Sequence, residues 1–265
     1  KLDVGALLTG NPALRVAAIQ PDFSEQLRHR AQWFHPNLRR LLKLTDGVIA
    51  EQPDLLVWPE SSVVYTLPTR ATNLKHRVLG KVSTPTVFGA VRSEITPTGE
   101  KIYNTAYIVD GDGRRMGYYD KVYRLAFGEY LPLGDTFPIL YEWSPNSGHF
   151  YKGEVRTPLP FGEHRLGTLI CYEDILPRYV NSLMRAVDPP PDILINITND
   201  SWFGDTTEPW IHLALSTFRS VEQRRWLVRA TNSGVSAFVD PAGRITRHTP
   251  VMQRASIVKD VTFHE

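Results

Sequence analysis

The 265 residues include a single cysteine, Cys171, so no disulfide can close within the chain. That scarcity does not fix a redox compartment, because a disulfide-free protein can function on either side of a membrane. No stretch approaches the roughly 18 consecutive apolar residues that a spanning helix requires, and no signal-peptide pattern is visible. As given, the sequence reads as a soluble chain, and its start at Lys1 rather than Met fits processing or excision from a longer protein. Charge of one sign is also missing. The net charge is only +2, too little for strong attraction to nucleic acid. Arg219, Arg224, Arg225 and Arg229 form the one basic cluster, read as a solvated or ion-paired helix face rather than a phosphate track. Internal repeats, low-complexity tracts and linker-like shifts in composition are absent, so one domain is expected over 1–265. The eight histidines show no metal-ligand spacing, and no metal or organic cofactor is expected.

What is present is an ordinary globular balance, 42% hydrophobic and 22% charged, enough for a substantial core. Short β-like runs alternate with helical stretches. Arg15 to Ile19, Asp54 to Trp58, Thr86 to Arg92, Tyr103 to Val109 and Met116 to Tyr119 read as strands, with Asp110-Gly111-Asp112-Gly113 turning a hairpin. Leu166 to Cys171 and Asp192 to Ile197 read as two more buried strands, flanking a helix from Pro177 to Val187. Phe34 to Glu51 reads as a helix. A second long helix starts near Pro209, with Ile211, Ala214, Leu215, Phe218 and Val221 at three- and four-residue spacing giving it one apolar face. A hairpin around Pro241-Ala242-Gly243 and a strand from Ala255 to Val261 close the chain. The pattern predicts an α/β fold, a mixed sheet covered by helices. Leu67 to Lys81 and Tyr141 to Thr157 lack clean periodicity and are read as candidate lids.

Three polar residues share one context, each at the C-terminal end of an apolar or aromatic strand: Glu60 after Leu55 to Pro59, Lys121 after Gly117 to Asp120, and Cys171 after Leu166 to Ile170. Ligand sites gather at such ends in α/β sheets. The set is chemically coherent. A carboxylate can take the thiol proton, and an ammonium can favour the thiolate and stabilise an oxyanion. Each residue also has an ordinary reading alone: a small core hydrophobe for the cysteine, a cap for the glutamate, a solvated edge charge for the lysine.

Longer words join these residues. Val57-Trp58-Pro59-Glu60-Ser61, Tyr119-Asp120-Lys121 and Leu169-Ile170-Cys171-Tyr172-Glu173 occur in the Glu, Lys, Cys order that resembles the nitrilase superfamily. Phe127-Gly128-Glu129-Tyr130-Leu131-Pro132, Asn199-Asp200-Ser201-Trp202-Phe203-Gly204 and Arg229 to Ser236 resemble one branch of it, the apolipoprotein N-acyltransferase family, over roughly Arg15 to Arg247. The resemblance implies a four-layer α-β-β-α sandwich with Glu60 as general base, Lys121 as oxyanion-stabilising partner and Cys171 as nucleophile. It implies that Glu129 and Glu173 support the lysine and the thiol, that Tyr172 helps shape the site, and that Asn104 is a polar support. The implied reaction is ping-pong: an acyl chain passes from a phospholipid to a cysteine thioester, then to the N-terminal amine of a diacylglyceryl-cysteine lipoprotein. The implied setting is the periplasmic face of the bacterial inner membrane.

The sequence departs from that family in two ways. Its members carry flanking membrane helices that this sequence lacks, so lipid access would fall to the lids, with Leu67, Val78, Leu79, Trp143 and Phe150 as an apolar entry. Arg124-Leu125-Ala126 also stands where a proline usually precedes Phe-Gly-Glu, read as a local loop change. The Asn196-Ile197-Thr198 and Asn199-Asp200-Ser201 sequons are read as chance. The competing enzyme reading is a soluble nitrilase-type amidase using the same three residues on a small amide. A binding domain with a decayed site would be a different class, and all three positions are intact against it.

Overall fold

The computed structural model describes residues 13–24, 26, 30–134, 136–137, 139–143 and 148–263, excluding the side chains at 13 and 143. Two mixed sheets form its centre. The first has the order β13-β1-β2-β4-β5-β6, with β3 pairing beside β4, and the second has the order β12-β11-β10-β9-β8-β7. In the first sheet, β1 (Ala13–Gln20), β2 (Leu55–Val57) and β4 (Thr86–Thr96) run parallel, with Val16 opposite Leu55 and Leu56 opposite Thr86. From β4 the chain turns back through β5 (Gly99–Val109) and returns along β6 (Arg115–Asp120). Two reversals make β6 run with β2, so Glu60 and Lys121 leave the sheet at the same edge.

In the second sheet β8 (His164–Ile170), β9 (Ile193–Thr198) and β10 (Leu227–Thr231) are parallel neighbours. Every residue of β9 and β10 is buried, in keeping with their mostly apolar sequence, although Asn196 and Arg229 are buried among them. The remaining strands are β3 (Val63–Pro68), β7 (Leu159–Phe161), β11 (Ala237–Val239), β12 (Ile245–His248) and β13 (Ala255–Thr262).

Two cores follow from the alternation of side chains. Val16, Ala18, Leu55, Val57, Ala106 and Ile108 face the second sheet, while Ala17, Ile19, Leu56, Phe88 and Tyr107 face the helix outside the first. That helix, α1 (Phe34–Ile49), buries Asn37, Leu41, Thr45 and Val48, a stripe at helical spacing. Its Thr45 hydroxyl accepts a hydrogen bond from the Trp58 indole at 3.0 Å, tying the layer to the strand end that carries Glu60. Helices α2 (Pro177–Met184) and α3 (Glu208–Gln223) cover the second sheet, completing an α-β-β-α sandwich.

Three expectations need correction. On α3 the apolar stripe faces outward: Ile211, Leu215 and Phe218 are exposed, and the buried face carries His212, Leu213, Ser216, Arg219 and Ser220. Two of its polar members, His212 and Ser216, are held by the buried carboxylates of Asp174 and Asp200, so hydrophobicity alone picked the wrong face. Arg229 is not on a helix but inside β10, fully buried. The stretch from Leu67 to Lys81 is no lid. Leu67, Val78 and Leu79 are all 0% exposed, in β3 and a π-helical turn over Lys75–Leu79, so they cannot form an apolar entry. The Trp143 side chain lies outside the described residues. Among the described residues no helix is long and apolar enough to cross a membrane.

Candidate active site

At the shared edge, the chain leaving β2 makes a sharp turn at Pro59-Glu60-Ser61, with Ser61 at φ +51°. Gly89 of β4 allows this turn to lie against the sheet. A side chain there would meet the Glu60 α-carbon at 2.6 Å. Cys171 begins a 3₁₀ turn directly after β8 and has φ +53°, a left-handed conformation costly for a residue with a β-carbon. Such strain persists only where surrounding contacts enforce it, and it puts the thiol at the end of the strand rather than within it.

Lys121 is the hub of the charged groups. Its Nζ lies 2.8 Å from Glu129 Oε2 and 3.7 Å from Glu60 Oε1. The Asn104 amide donates to Glu60 Oε1 and to Glu129 Oε1, each at 2.7 Å, so one side chain clamps both acids. The loop at the expected change, Arg124-Leu125-Ala126, still presents Glu129: Leu125 N–H donates to Glu129 Oε2 at 2.7 Å. Part of the second candidate lid, Tyr141 to Thr157, docks here, with the N–H groups of Phe150 and Gly153 donating to the carbonyls of Glu129 and Lys121.

Glu173 and Tyr172 play different parts in the geometry. Glu173 is completely buried and accepts from the N–H groups of Val122, Tyr123 and Ile170 and from the Tyr119 hydroxyl. It therefore binds the backbone after Lys121 to the backbone before Cys171. Tyr172 points toward α3: its ring stacks on His212 at 4.3 Å and its hydroxyl donates to Glu208.

The electrostatics follow from burial and neighbours. Burial pushes the Cys171 thiol well above its usual range, and Glu60 adds to that, while Lys121 and a hydrogen bond from Thr198 pull the other way. At rest Cys171 carries its proton. Burial alone would lower Lys121, but Cys171 once ionised, and Glu60 and Glu129 already at rest, hold it above its ordinary value, as an ammonium. Burial pushes Glu173 up to about 7 against the pull of its N–H donors. Among the described residues no group of three or more His, Cys, Asp or Glu is arranged to hold a metal ion.

A buried thiol, a carboxylate and a clamped ammonium thus lie at one edge of two packed sheets. The carbon-nitrogen hydrolase family profile matches residues 15–264, and the chain belongs to that family. Among curated relatives, the chain is 31% identical over 260 residues to the apolipoprotein N-acyltransferase of Geobacter metallireducens, covering 97% of this chain and 49% of that protein. It is 36% identical over 237 residues to the Bdellovibrio bacteriovorus protein of the same name, covering 82% of this chain and 42% of that one. The chain thus spans about half the length of these relatives. Among solved structures, Saccharomyces cerevisiae Nit3 of the nitrilase superfamily aligns with TM-score 0.67 at 20% identity, covering 97% of this chain and 92% of that one. An amidase from Nesterenkonia aligns with TM-score 0.60 at 20% identity, covering 94% and 90%. These two likenesses concern the fold.

The sequence did not single out Asp174, Asn196, Asp200, His212 or Arg229 as site residues, yet all five lie close to Cys171 in a buried polar cluster. For Asp200 and Arg229 the signal was present in Asn199-Asp200 and in Arg229 to Ser236, which served only to mark a family branch.

Proposed function

We propose that this domain transfers an acyl chain from a phospholipid, through a thioester on Cys171, to the N-terminal amine of a diacylglyceryl-cysteine lipoprotein. The observation that carries the reading is the placement of the only thiol, buried, within electrostatic reach of Glu60 and of an ammonium clamped by Glu129. A buried, protonated thiol needs a base at the moment of attack, and Glu60 takes that role. Its carboxylate removes the Cys171 proton as sulfur bonds to the ester carbonyl carbon. The Lys121 ammonium faces the oxyanion that forms. Collapse breaks the ester C–O bond, and the lysophospholipid leaves with the proton held by Glu60. In the second half the lipoprotein amine attacks the thioester carbonyl, Glu60 takes its proton, and the C–S bond breaks. The amide departs and the proton returns to sulfur.

The phospholipid as donor is supported by the segment after Lys121. Tyr123, Leu125, Phe127, Leu133 and Phe137 are all exposed within the stretch that also carries Glu129, an apolar surface suited to acyl chains. The names of the relatives supply the lipoprotein acceptor. On this reading the chain is a single catalytic domain of a longer protein, held at the periplasmic face of a bacterial inner membrane.

Intact mass after incubation with phosphatidylethanolamine tests the scheme. The expected result is an acyl-sized gain that neutral hydroxylamine removes, that Cys171→Ser does not give as a thioester, and that a diacylated lipopeptide with a free amine discharges as an amide. Hydrolysis of a small amide with no lipid adduct would instead assign the domain to amidase chemistry.

A further inference from the structure

On the β9 and β10 side of Cys171, four ionisable side chains pack with no exposure at all: Asp174, Asp200, His212 and Arg229. Arg229 spans the two acids, with Nη1 at 2.8 Å from Asp174 Oδ2 and Nη2 at 3.0 Å from Asp200 Oδ2. His212 spans the same pair from the other side, with Nε2 and Nδ1 each 3.0 Å from a carboxylate oxygen. Nδ1 also lies 2.8 Å from Arg229 Nη2. The ring can therefore accept from arginine when neutral and donate to Asp200 when protonated. The cluster is tightly enclosed. A β-carbon added to Gly234 would sit 2.3 Å from Asp200 Oδ2.

Thr198 links Asp200 to the thiol, and a second route leads from the cluster to the nucleophile's backbone. Arg229 Nη1 donates to Asn196 Oδ1 at 2.8 Å, and Asn196 Nδ2 donates to the Cys171 carbonyl at 3.1 Å. Chemistry fixes the amide's orientation, because guanidinium only donates and a carbonyl only accepts. An asparagine serves both ends where an aspartate would set a carboxylate against the carbonyl. The carbonyl it holds belongs to the one residue at this edge that is both left-handed and a thiol.

We propose that Asn196 and Arg229 are positioning residues for Cys171: the relay from the buried ion cluster to the Cys171 carbonyl keeps this residue left-handed and its thiol facing Lys121 and Glu60. Without the relay, the backbone at Cys171 can relax toward ordinary φ and carry the sulfur away from the ammonium. The charged groups that act on the sulfur are Glu60 after β2, Lys121 after β6, Asp200 after β9 and Arg229 in β10, while Glu173 and Asp174 follow Cys171 along the chain. Of these, Lys121 gains most in attraction when the thiol ionises.

The inference rests on Cys171 being the reactive thiol, and it can be tested apart from acyl transfer. The chain has one cysteine, so iodoacetamide alkylation followed by mass reports Cys171 alone. Asn196→Leu removes both ends of the relay at similar volume, and Asn196→Ser removes the amide donor while adding neither bulk nor charge. We expect folded variants, by circular dichroism, whose alkylation slows by roughly 10–100-fold, the scale of a thiol misplaced by about 1 Å. The pH midpoint of alkylation should also rise, because the thiolate has lost its ammonium. A purely structural role would lower the melting temperature and leave that midpoint unmoved. Variants that alkylate at the parent rate and midpoint overturn the proposal, as does loss of fold in both. A parent chain that alkylates normally yet takes no acyl group from any donor would sink the acyltransferase reading and leave this test intact.

Discussion

Two charge clusters flank Cys171, and they are built from nearly the same chemistry. Around Lys121, two carboxylates and an asparagine surround one cation. Around Arg229, two carboxylates, a histidine and an asparagine do the same. They differ in accessibility and in rigidity. Glu60 and Glu129 keep 9% and 13% of their side chains exposed, whereas Asp174, Asp200 and Arg229 keep none. Lysine presents a compact charge on a flexible stem, and it can meet an oxyanion that forms and disappears. Arginine's planar fork is used up by fixed partners. The first cluster is therefore suited to reacting and the second to holding, and substitutions should separate rate from stability.

The largest effect should come from removing the buried cation. Arg229→Met leaves two fully buried carboxylates with His212 as the one remaining cationic partner, and we expect about 3–5 kcal/mol of lost stability in urea denaturation, the usual cost of breaking a buried pair. A loss under 1 kcal/mol would erase the distinction between the clusters. Lys121→Met is the counterpart. We expect acyl-enzyme formation to fall by about 10²–10³, on the scale of losing one oxyanion donor, with a stability change well below that of Arg229→Met because Glu60 and Glu129 can still reach water. Single-turnover mass kinetics and urea melts on the same preparations give both numbers.

This division was only half legible in the sequence. The placement of Glu60, Lys121 and Cys171 at one edge could be read because each follows a short apolar or aromatic strand, and the ends of parallel strands lie together. Arg229 could not. A charged residue within Leu227-Val228-Arg229-Ala230-Thr231 looks like a solvated break in the pattern, and the three nearby arginines drew it into a false helix. The same blindness affected α3. Two stripes of that helix were available for burial, and the one carrying His212 and Ser216 is buried because Asp174 and Asp200 pair with it across the fold. Periodicity measures apolarity, so it cannot detect a face held by ion pairs. Leu67 to Lys81 failed for a different reason. Leu74, Val78 and Leu79 meet the core through a π-helical turn, whose spacing matches neither a regular helix nor a strand.

Glu173 lies between the clusters and sharpens the contrast through pH. Its folded value is pushed up to about 7 from an ordinary 4.5. Between those values the folded chain binds more protons than the unfolded one, so this group's contribution to stability falls as pH rises from 4.5 toward 7. The total change is roughly 3 kcal/mol. Glu173→Gln should flatten that slope. It should also cost about 1–3 kcal/mol at pH 5, because the amide's own hydrogens would face N–H donors. Denaturant midpoints across pH 4 to 8 for both chains would check it, and a slope that survives the substitution would assign it to another group.

The smallest effect concerns Asn104, which does for the reactive cluster what Asn196 does for the rigid one. Its single amide nitrogen holds Glu60 and Glu129 at 2.7 Å each, keeping two like charges apart and both turned toward Lys121. In Asn104→Ala, Lys121 still pairs with both acids, so neither is stranded and stability should move by less than about 1 kcal/mol. Glu60 loses its fixed orientation, however, and a base that must meet the thiol proton within hydrogen-bond reach should do so less often, slowing acylation about tenfold. Asn104→Asp separates orientation from charge. It restores a polar group of the same shape but sets a third carboxylate against the other two, so acylation should be slower than in the alanine variant near pH 7 and recover as the pH falls and the added acid takes a proton. Equal rates for the two variants at every pH would mean that Asn104 only fills space, and that Lys121 alone organises the acids.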